Sequence, residues 1–296
     1  MHGGPGSPLS PYSEAIFGDW EKDFTLVNWD QRGSGRTFGR YAPAEVDEEY
    51  WQANPLTFVQ MTADGIEISE YVRKYLGKDQ IILFGTSWGS ALGASMAIKR
   101  PDLYYAFVGH ARLVNPSEDL IQVYQTTRQL AHQLNDSTAV ELLESLGPPP
   151  YRSAKHMGQL LRIVKKFEQE NATPAPELWW ETASEYDNEA DERARYNGDD
   201  YSFIYYTGDH LLSINGMNTT INFLQDGKSF HIPVYLIQGE EDILTPLNIT
   251  AAYFEKIEAP RKELVVVSGA AHGFNQSIID TAYQLLTEKI LSLINE

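Results

Sequence analysis

Gln80-Ile-Ile-Leu-Phe-Gly-Thr-Ser-Trp-Gly-Ser-Ala-Leu-Gly-Ala-Ser-Met-Ala-Ile-Lys-Arg100 is the stretch on which the reading of this chain turns. Its first six residues form an apolar run with β-branched members, short enough for a strand buried on both faces. From Trp88 onward the residues are small and apolar, as in a helix packed closely on a sheet, and Pro101 stops it. Between the two lies Gly85-Thr86-Ser87-Trp88-Gly89, a G-x-S-x-G pattern. A strand that runs straight into a helix needs a tight turn, and the flanking glycines avoid collisions around a strained serine. The helix start adds free N–H groups and the positive end of a dipole. Ser87 is therefore the candidate nucleophile, with the N–H of Trp88 as one donor to a developing oxyanion. The competing reading is a buried structural serine.

Outward from this stretch the pattern repeats. Phe24-Thr-Leu-Val-Asn-Trp29 reads as a buried strand. Thr57 to Leu76 carries Phe58, Met61, Ile68, Val72 and Tyr75 at helical spacing and closes at Gly77. Tyr104 to Gly109 is a further strand. Strand and helix in alternation predict a parallel sheet covered on both faces. From about Asn115 to Phe230 the rhythm gives way to helical, charged and aromatic sequence broken by Pro148-Pro149-Pro150. It resumes with Pro233 to Gly239, a helix from Leu247, a strand Leu264 to Val267 and a helix from Ser277. The expected organisation is one α/β core, residues 1–115 and 231–296, with a helical cap, residues 116–230, inserted into it.

A serine nucleophile needs a base and the base an orienting carboxylate. Asp242, just past the strand ending at Gly239, and His272, in Gly269-Ala-Ala-His272-Gly-Phe, both follow strand ends, where ligands bind in open α/β sheets. Glu240 and Glu241 are rival acids. His110, His132, His156, His210 and His231 lack such positions and read as core or surface residues. His2-Gly3-Gly4-Pro5-Gly6 supplies a glycine-rich turn whose backbone N–H groups a substrate can approach, with Gly4, next to Gly3, as the second oxyanion donor.

Bulk properties narrow the rest. The 296 residues carry a formal charge of −18, which disfavours phosphate backbones and hence nucleic-acid partners. No run of about 18 apolar residues suggests a membrane span. The chain has no cysteine, so disulfides, thiolate nucleophiles and zinc–thiolate sites are excluded. That absence fits a reducing compartment and leads to an expected cytoplasmic location. Gly227-Lys228-Ser229 resembles the end of a P-loop, but Asn222 stands where its first glycine belongs. No His-Glu-x-x-His occurs, and no metal or organic cofactor is called for.

His2-Gly-Gly-Pro-Gly6, Asp30-Gln-Arg-Gly-Ser-Gly35 and Gly85-Thr-Ser-Trp-Gly-Ser90 together resemble the proline iminopeptidases, α/β-hydrolases that remove N-terminal proline from peptides. The resemblance covers about Met1 to Ala111 and Ile232 to the end. It implies an α/β-hydrolase fold, a Ser87–Asp242–His272 triad, an oxyanion hole from Gly4 and Trp88, and a bracing role for Asp30 and Arg32 around the Gly3–Gly6 loop. In that family the His-Gly-Gly-Pro-Gly turn follows a strand with further strands before it. Here it begins at residue 2, so the resemblance implies missing N-terminal strands and a gap between the Phe24 and Ile81 strands. It also implies that cap glutamates bind the substrate's free ammonium group. Glu181, Glu185, Glu189 and Glu192, read as one helical face after Trp179-Trp180, are candidates, a solvated face being the alternative. Tyr201, Phe203, Tyr205 and Tyr206 could line the pocket or simply pack in a core. The expected substrate is a small peptide or ester. The expected activity is aminopeptidase, with carboxylesterase as the alternative on the same machinery and a silent binding protein as the third reading. Serine at position 87 argues against the aspartate chemistry of haloalkane dehalogenases. Oligomeric state has no sequence signal.

Overall fold

The computed structural model describes residues 1–295. Four parallel strands, β1 (Ile81–Thr86), β2 (Tyr104–His110), β3 (Val234–Gly239) and β4 (Lys262–Val267), pair in the order β1-β2-β3-β4. β3 is buried throughout and almost wholly apolar, as a parallel strand covered on both faces must be. Its side chains part by the strand period. Val234 and Leu236 join Phe107, Leu92 and Tyr253 on one side, while Tyr235 and Ile237 join Ala106, Val108, Ile278 and Trp20 on the other.

The helices that concern the site are α1 (Phe58–Leu76), α2 (Trp88–Lys99), α3 (Pro116–Gln133), α4 (Ser137–Leu146), α5 (Ala154–Asn171), α6 (Glu189–Thr207), α7 (Leu247–Lys256) and α8 (Gln276–Gln284). α1 starts where the Thr57 side chain accepts the Gln60 N–H and stops at Gly77, which adopts φ 63°. Met61, Gly65 and Ser69, four residues apart, form the stripe it buries. α2 is buried over ten consecutive residues, Trp88 to Ala97, which explains its small side chains. Helices α3 to α6 lie between β2 and β3. Leu120, Val123, Leu143, Leu160, Val164 and Phe167 from α3, α4 and α5 form a core of their own, and Ile243, next to Asp242, joins it. Among the described residues no helix is long and apolar enough to cross a membrane.

One expected strand does not form. Phe24–Trp29 takes no regular secondary structure and pairs with no strand. A groove of about 550 Å³ separates it from β1, lined by Phe24, Leu26, Ile82 and Phe84 among others. Among the described residues only Met1 reaches into the β1 edge: its amino group donates to the Phe84 carbonyl (2.7 Å) and its carbonyl accepts the Thr86 N–H (3.2 Å). An apolar segment with no neighbouring strand across that gap has nothing to ladder with, so Phe24 and Leu26 pack by their side chains.

Candidate active site

Strand β1 delivers Ser87 into a turn with φ 53° and ψ −121°, a region that non-glycine residues rarely occupy. The conformation is held on both sides. The Ser87 N–H donates to the His110 carbonyl at the end of β2 (2.9 Å), and the Ser87 carbonyl accepts from Ser90 N (2.8 Å) and Ser90 Oγ (2.6 Å). The motif glycines are required by crowding. A Cβ on Gly89 would stand 2.5 Å from the Met1 carbonyl oxygen and 2.6 Å from that of His2, and one on Gly85 would meet the Gly89 oxygen at 2.2 Å. The elbow and the His2–Gly6 turn are thus pressed together backbone to backbone. Trp88 opens α2, so its N–H has no acceptor within the helix.

His272 Nε2 stands 2.8 Å from Ser87 Oγ, and its Nδ1 lies 3.1 and 3.2 Å from the two carboxylate oxygens of Asp242. Asp242 is buried and further accepts hydrogen bonds from Thr245 N (2.7 Å), Thr245 Oγ1 (2.6 Å) and Gln238 Nε2 (2.8 Å). Burial alone would push the Asp242 carboxyl up. The His272 charge and hydrogen bond and the Thr245 donors outweigh it, and the pKa falls below the usual aspartate value. For His272, burial pulls the pKa down, yet the Asp242 charge and hydrogen bond, with Glu168 adding to them, raise it above the usual imidazole value. The rival acids make no hydrogen bond to His272, and Glu240 is exposed.

The glycine turn lies over the nucleophile. A Cβ on Gly3 would fall 3.1 Å from Ser87 Cβ, so Gly3 abuts the serine directly, while Gly4 turns the chain at φ 108°. The turn is braced from within. His2 is buried, its Nδ1 donates to the Gly3 carbonyl (2.9 Å), and its Nε2 accepts the Gln31 N–H (3.1 Å). Burial pulls the His2 pKa down to about 3, which keeps this neutral tautomer. Gln31 closes the loop of bonds, donating Nε2 to the His2 carbonyl (2.9 Å) and accepting Trp88 Nε1 through Oε1 (3.0 Å). Gln31 was the residue that sequence reasoning passed over, between the two it named. Asp30 instead accepts Ser10 Oγ (2.6 Å) and the Arg36 N–H (2.7 Å), fixing the start of the short helix Gly35–Tyr41. Arg32 pairs with Asp64 on α1 (2.6 Å), half exposed, and the expectation that it braces the Gly3–Gly6 loop is corrected. Replacing Gln31 by alanine is expected to lower kcat by up to about 10²-fold, the loss that follows one oxyanion donor, with KM little changed. Steady-state kinetics beside a thermal melt check it.

The expected acidic face does not exist as one helix face. Glu181 and Glu185 are exposed and lie in the loop before α6, and only Glu189 and Glu192 are on that helix. Tyr205 packs in the core against Trp51 and Tyr201, its hydroxyl bonded to the Trp51 carbonyl. Tyr206 differs, since its ring meets Trp88, beside the nucleophile, edge to face at 5.6 Å. The buried carboxylates of the segment between β2 and β3 are Asp119 on α3 and Glu168 on α5.

Compared with protein families, residues 1–275 match the family described as the alpha/beta hydrolase fold. The chain belongs to the α/β-hydrolase family. Among its relatives are the probable aminopeptidase YbaC of Bacillus subtilis (27% identical, covering 92% of this chain and 81% of the relative) and a proline iminopeptidase of Neisseria meningitidis serogroup B (26%, 99% and 88%). Among solved structures, the proline iminopeptidase of Mycobacterium smegmatis superposes with a TM-score of 0.63 at 20% identity over 99% of this chain and 89% of that one. VinJ reaches 0.64 at 18% identity with the same coverage, a likeness of fold. This α/β-hydrolase is accordingly a serine hydrolase similar to the proline iminopeptidases.

Proposed function

We propose that this α/β-hydrolase is an aminopeptidase that releases proline or a similarly small residue from the amino terminus of peptides. The observation that carries the reading is the continuous line from Ser87 Oγ through His272 to buried Asp242, set beneath the Gly3–Gly4 turn. In this mechanism His272 Nε2 takes the Ser87 proton as Oγ attacks the amide carbonyl. Asp242 holds the Nδ1–H tautomer and stabilises the imidazolium. The Trp88 N–H and the N–H groups of the glycine turn receive the oxyanion. His272 then gives its proton to the leaving amine, and a water molecule, deprotonated by the same imidazole, releases the acyl group. Relatives that bear aminopeptidase and proline iminopeptidase names support amide over ester substrates.

One observation favours a second reading. With Glu181, Glu185, Glu189 and Glu192 all exposed, the acids expected to anchor a substrate ammonium are turned to solvent, which suits a carboxylesterase for small acyl esters. The buried cap carboxylate Asp119 answers it in part. Asp119 lies in the electrostatic surroundings of Tyr206, whose ring touches Trp88, and burial pushes its pKa up to about 6, where a substrate cation would favour the ionised form. Rates on proline p-nitroanilide, its N-acetylated form and p-nitrophenyl acetate separate the readings. The aminopeptidase reading expects turnover of the free-amine anilide and loss on acetylation. Turnover of the acetate ester alone would replace it with the esterase.

A further inference from the structure

Glu168 interrupts the apolar stripe of α5, in line with Leu160 and Val164, and is only 7% exposed. A carboxylate in such a place is costly unless it is partnered. Its Oε1 accepts the N–H groups of Ile243 (2.8 Å) and Leu244 (3.2 Å), the two residues directly after Asp242. Five residues further on, the Thr173 N–H donates to the carbonyl of Gly269 (2.8 Å), in the loop that carries His272. Asn275 Nδ2 returns to the Thr173 carbonyl (3.3 Å). The end of one cap helix and the residues after it therefore clasp both loops on which the base and its acid stand.

We propose that Glu168 is a positioning residue of the catalytic machinery, fixing the turn that aims Asp242 and, when ionised, adding a second negative charge to the surroundings of His272. The inference rests on the triad reading of Ser87, His272 and Asp242. Its electrostatic half has a physical basis in both partners. Burial pushes the Glu168 carboxyl up to about 7, with His272 pulling it back, and the Glu168 charge in turn helps to raise His272. The titratable groups that bear on His272 are Asp242 on its turn, Glu168 on α5 and His110 at the end of β2, the last kept neutral by burial, which pulls its pKa to about 3. Helix α5, from the segment between β2 and β3, thus supplies part of the machinery.

The substitution Glu168→Gln keeps a carbonyl oxygen for the two N–H groups and removes the charge, and Glu168→Ala removes both. In the intact protein, ¹⁵N NMR titration of the His272 imidazole reads the charge effect without substrate. Rates on proline p-nitroanilide and p-nitrophenyl acetate across pH read the rest. With Glu168→Gln, His272 is expected to titrate at lower pH than in the unaltered protein, and the acid limb of kcat/KM to move down with it. With Glu168→Ala, kcat is expected to fall by about 10²-fold on both substrates at nearly constant KM, the scale of a slight misplacement of catalytic groups. An unmoved His272 titration in Glu168→Gln overturns the proposal. So does a rise in KM confined to the free-amine substrate, which assigns Glu168 to the substrate ammonium instead. Since the titration needs no turnover, absence of prolyl activity would defeat the function proposed above and leave this test intact.

Discussion

Replacing Ser87 by alanine is expected to lower kcat by roughly 10⁶-fold on every substrate the protein hydrolyses, with KM and thermal stability little changed. The size follows from the chemistry. Oγ stands in hydrogen-bond contact with His272 Nε2, at 2.8 Å, and without it no acyl-enzyme forms. Residual rate would come from the oxyanion donors and from binding alone. Fold is expected to survive because a methyl group replaces a small hydroxyl, and the turn is held by backbone bonds to His110 and Ser90 that alanine retains. Relief of some strain at φ 53° does not follow, since alanine tolerates that region no better than serine. Single-turnover kinetics and a melting curve of the variant are the checks. A fall of less than about 10²-fold would remove Ser87 from the chemistry, that being the scale on which a single positioned group typically counts.

Asp242→Asn is expected to cost about 10⁴-fold in kcat at neutral pH while leaving the fold in place. Asp242 accepts three hydrogen bonds besides that of His272, from Thr245 N, Thr245 Oγ1 and Gln238 Nε2. An asparagine that keeps its oxygen where Thr245 Oγ1 and Gln238 Nε2 donate turns its NH₂ toward the Thr245 N–H and the imidazole, and so selects the wrong tautomer. The pH profile carries a second signature. His272 must be neutral to take the Ser87 proton, and its pKa lies above the usual imidazole value because Asp242, chiefly, outweighs burial. Activity is therefore lost as pH falls through that raised pKa and is full above it. Removing the Asp242 charge takes away the larger opponent of burial and leaves only the Glu168 charge, which lowers the His272 pKa and moves the acid limb of what activity remains to lower pH. A kcat/KM profile from pH 5 to 9 for both proteins reads the direction, and a limb that rises or stays fixed would contradict the electrostatic account.

The core of this fold was legible because its signals are local. The elbow strand and α2 show in composition, and both Asp242 and His272 stand at ends of strands that read as apolar runs. Phe24–Trp29 misled for the opposite reason, since pairing depends on a neighbour that no feature of the segment itself reveals. The acidic residues after Trp180 were placed on one helix although a signal was present. Asn188 accepts the Asp191 N–H (3.0 Å) and marks the true start of α6, eight residues after Trp180. Gln31 carries no pattern that separates it from Asp30 and Arg32, and only the contacts to His2 and Trp88 distinguish it. Glu168 left a faint mark, a carboxylate on an otherwise apolar stripe, but its partners lie about 75 residues away in sequence.

The central claim is that Ser87 Oγ is the atom acylated during turnover. Reaction with a fluorophosphonate, followed by proteolysis and mass spectrometry, tests it most directly. The account predicts a single adduct on the peptide that contains Ser87, formed at a rate that falls with pH as His272 takes up its proton and abolished in His272→Ala. An adduct on another serine, or none at all in a folded protein, would contradict it.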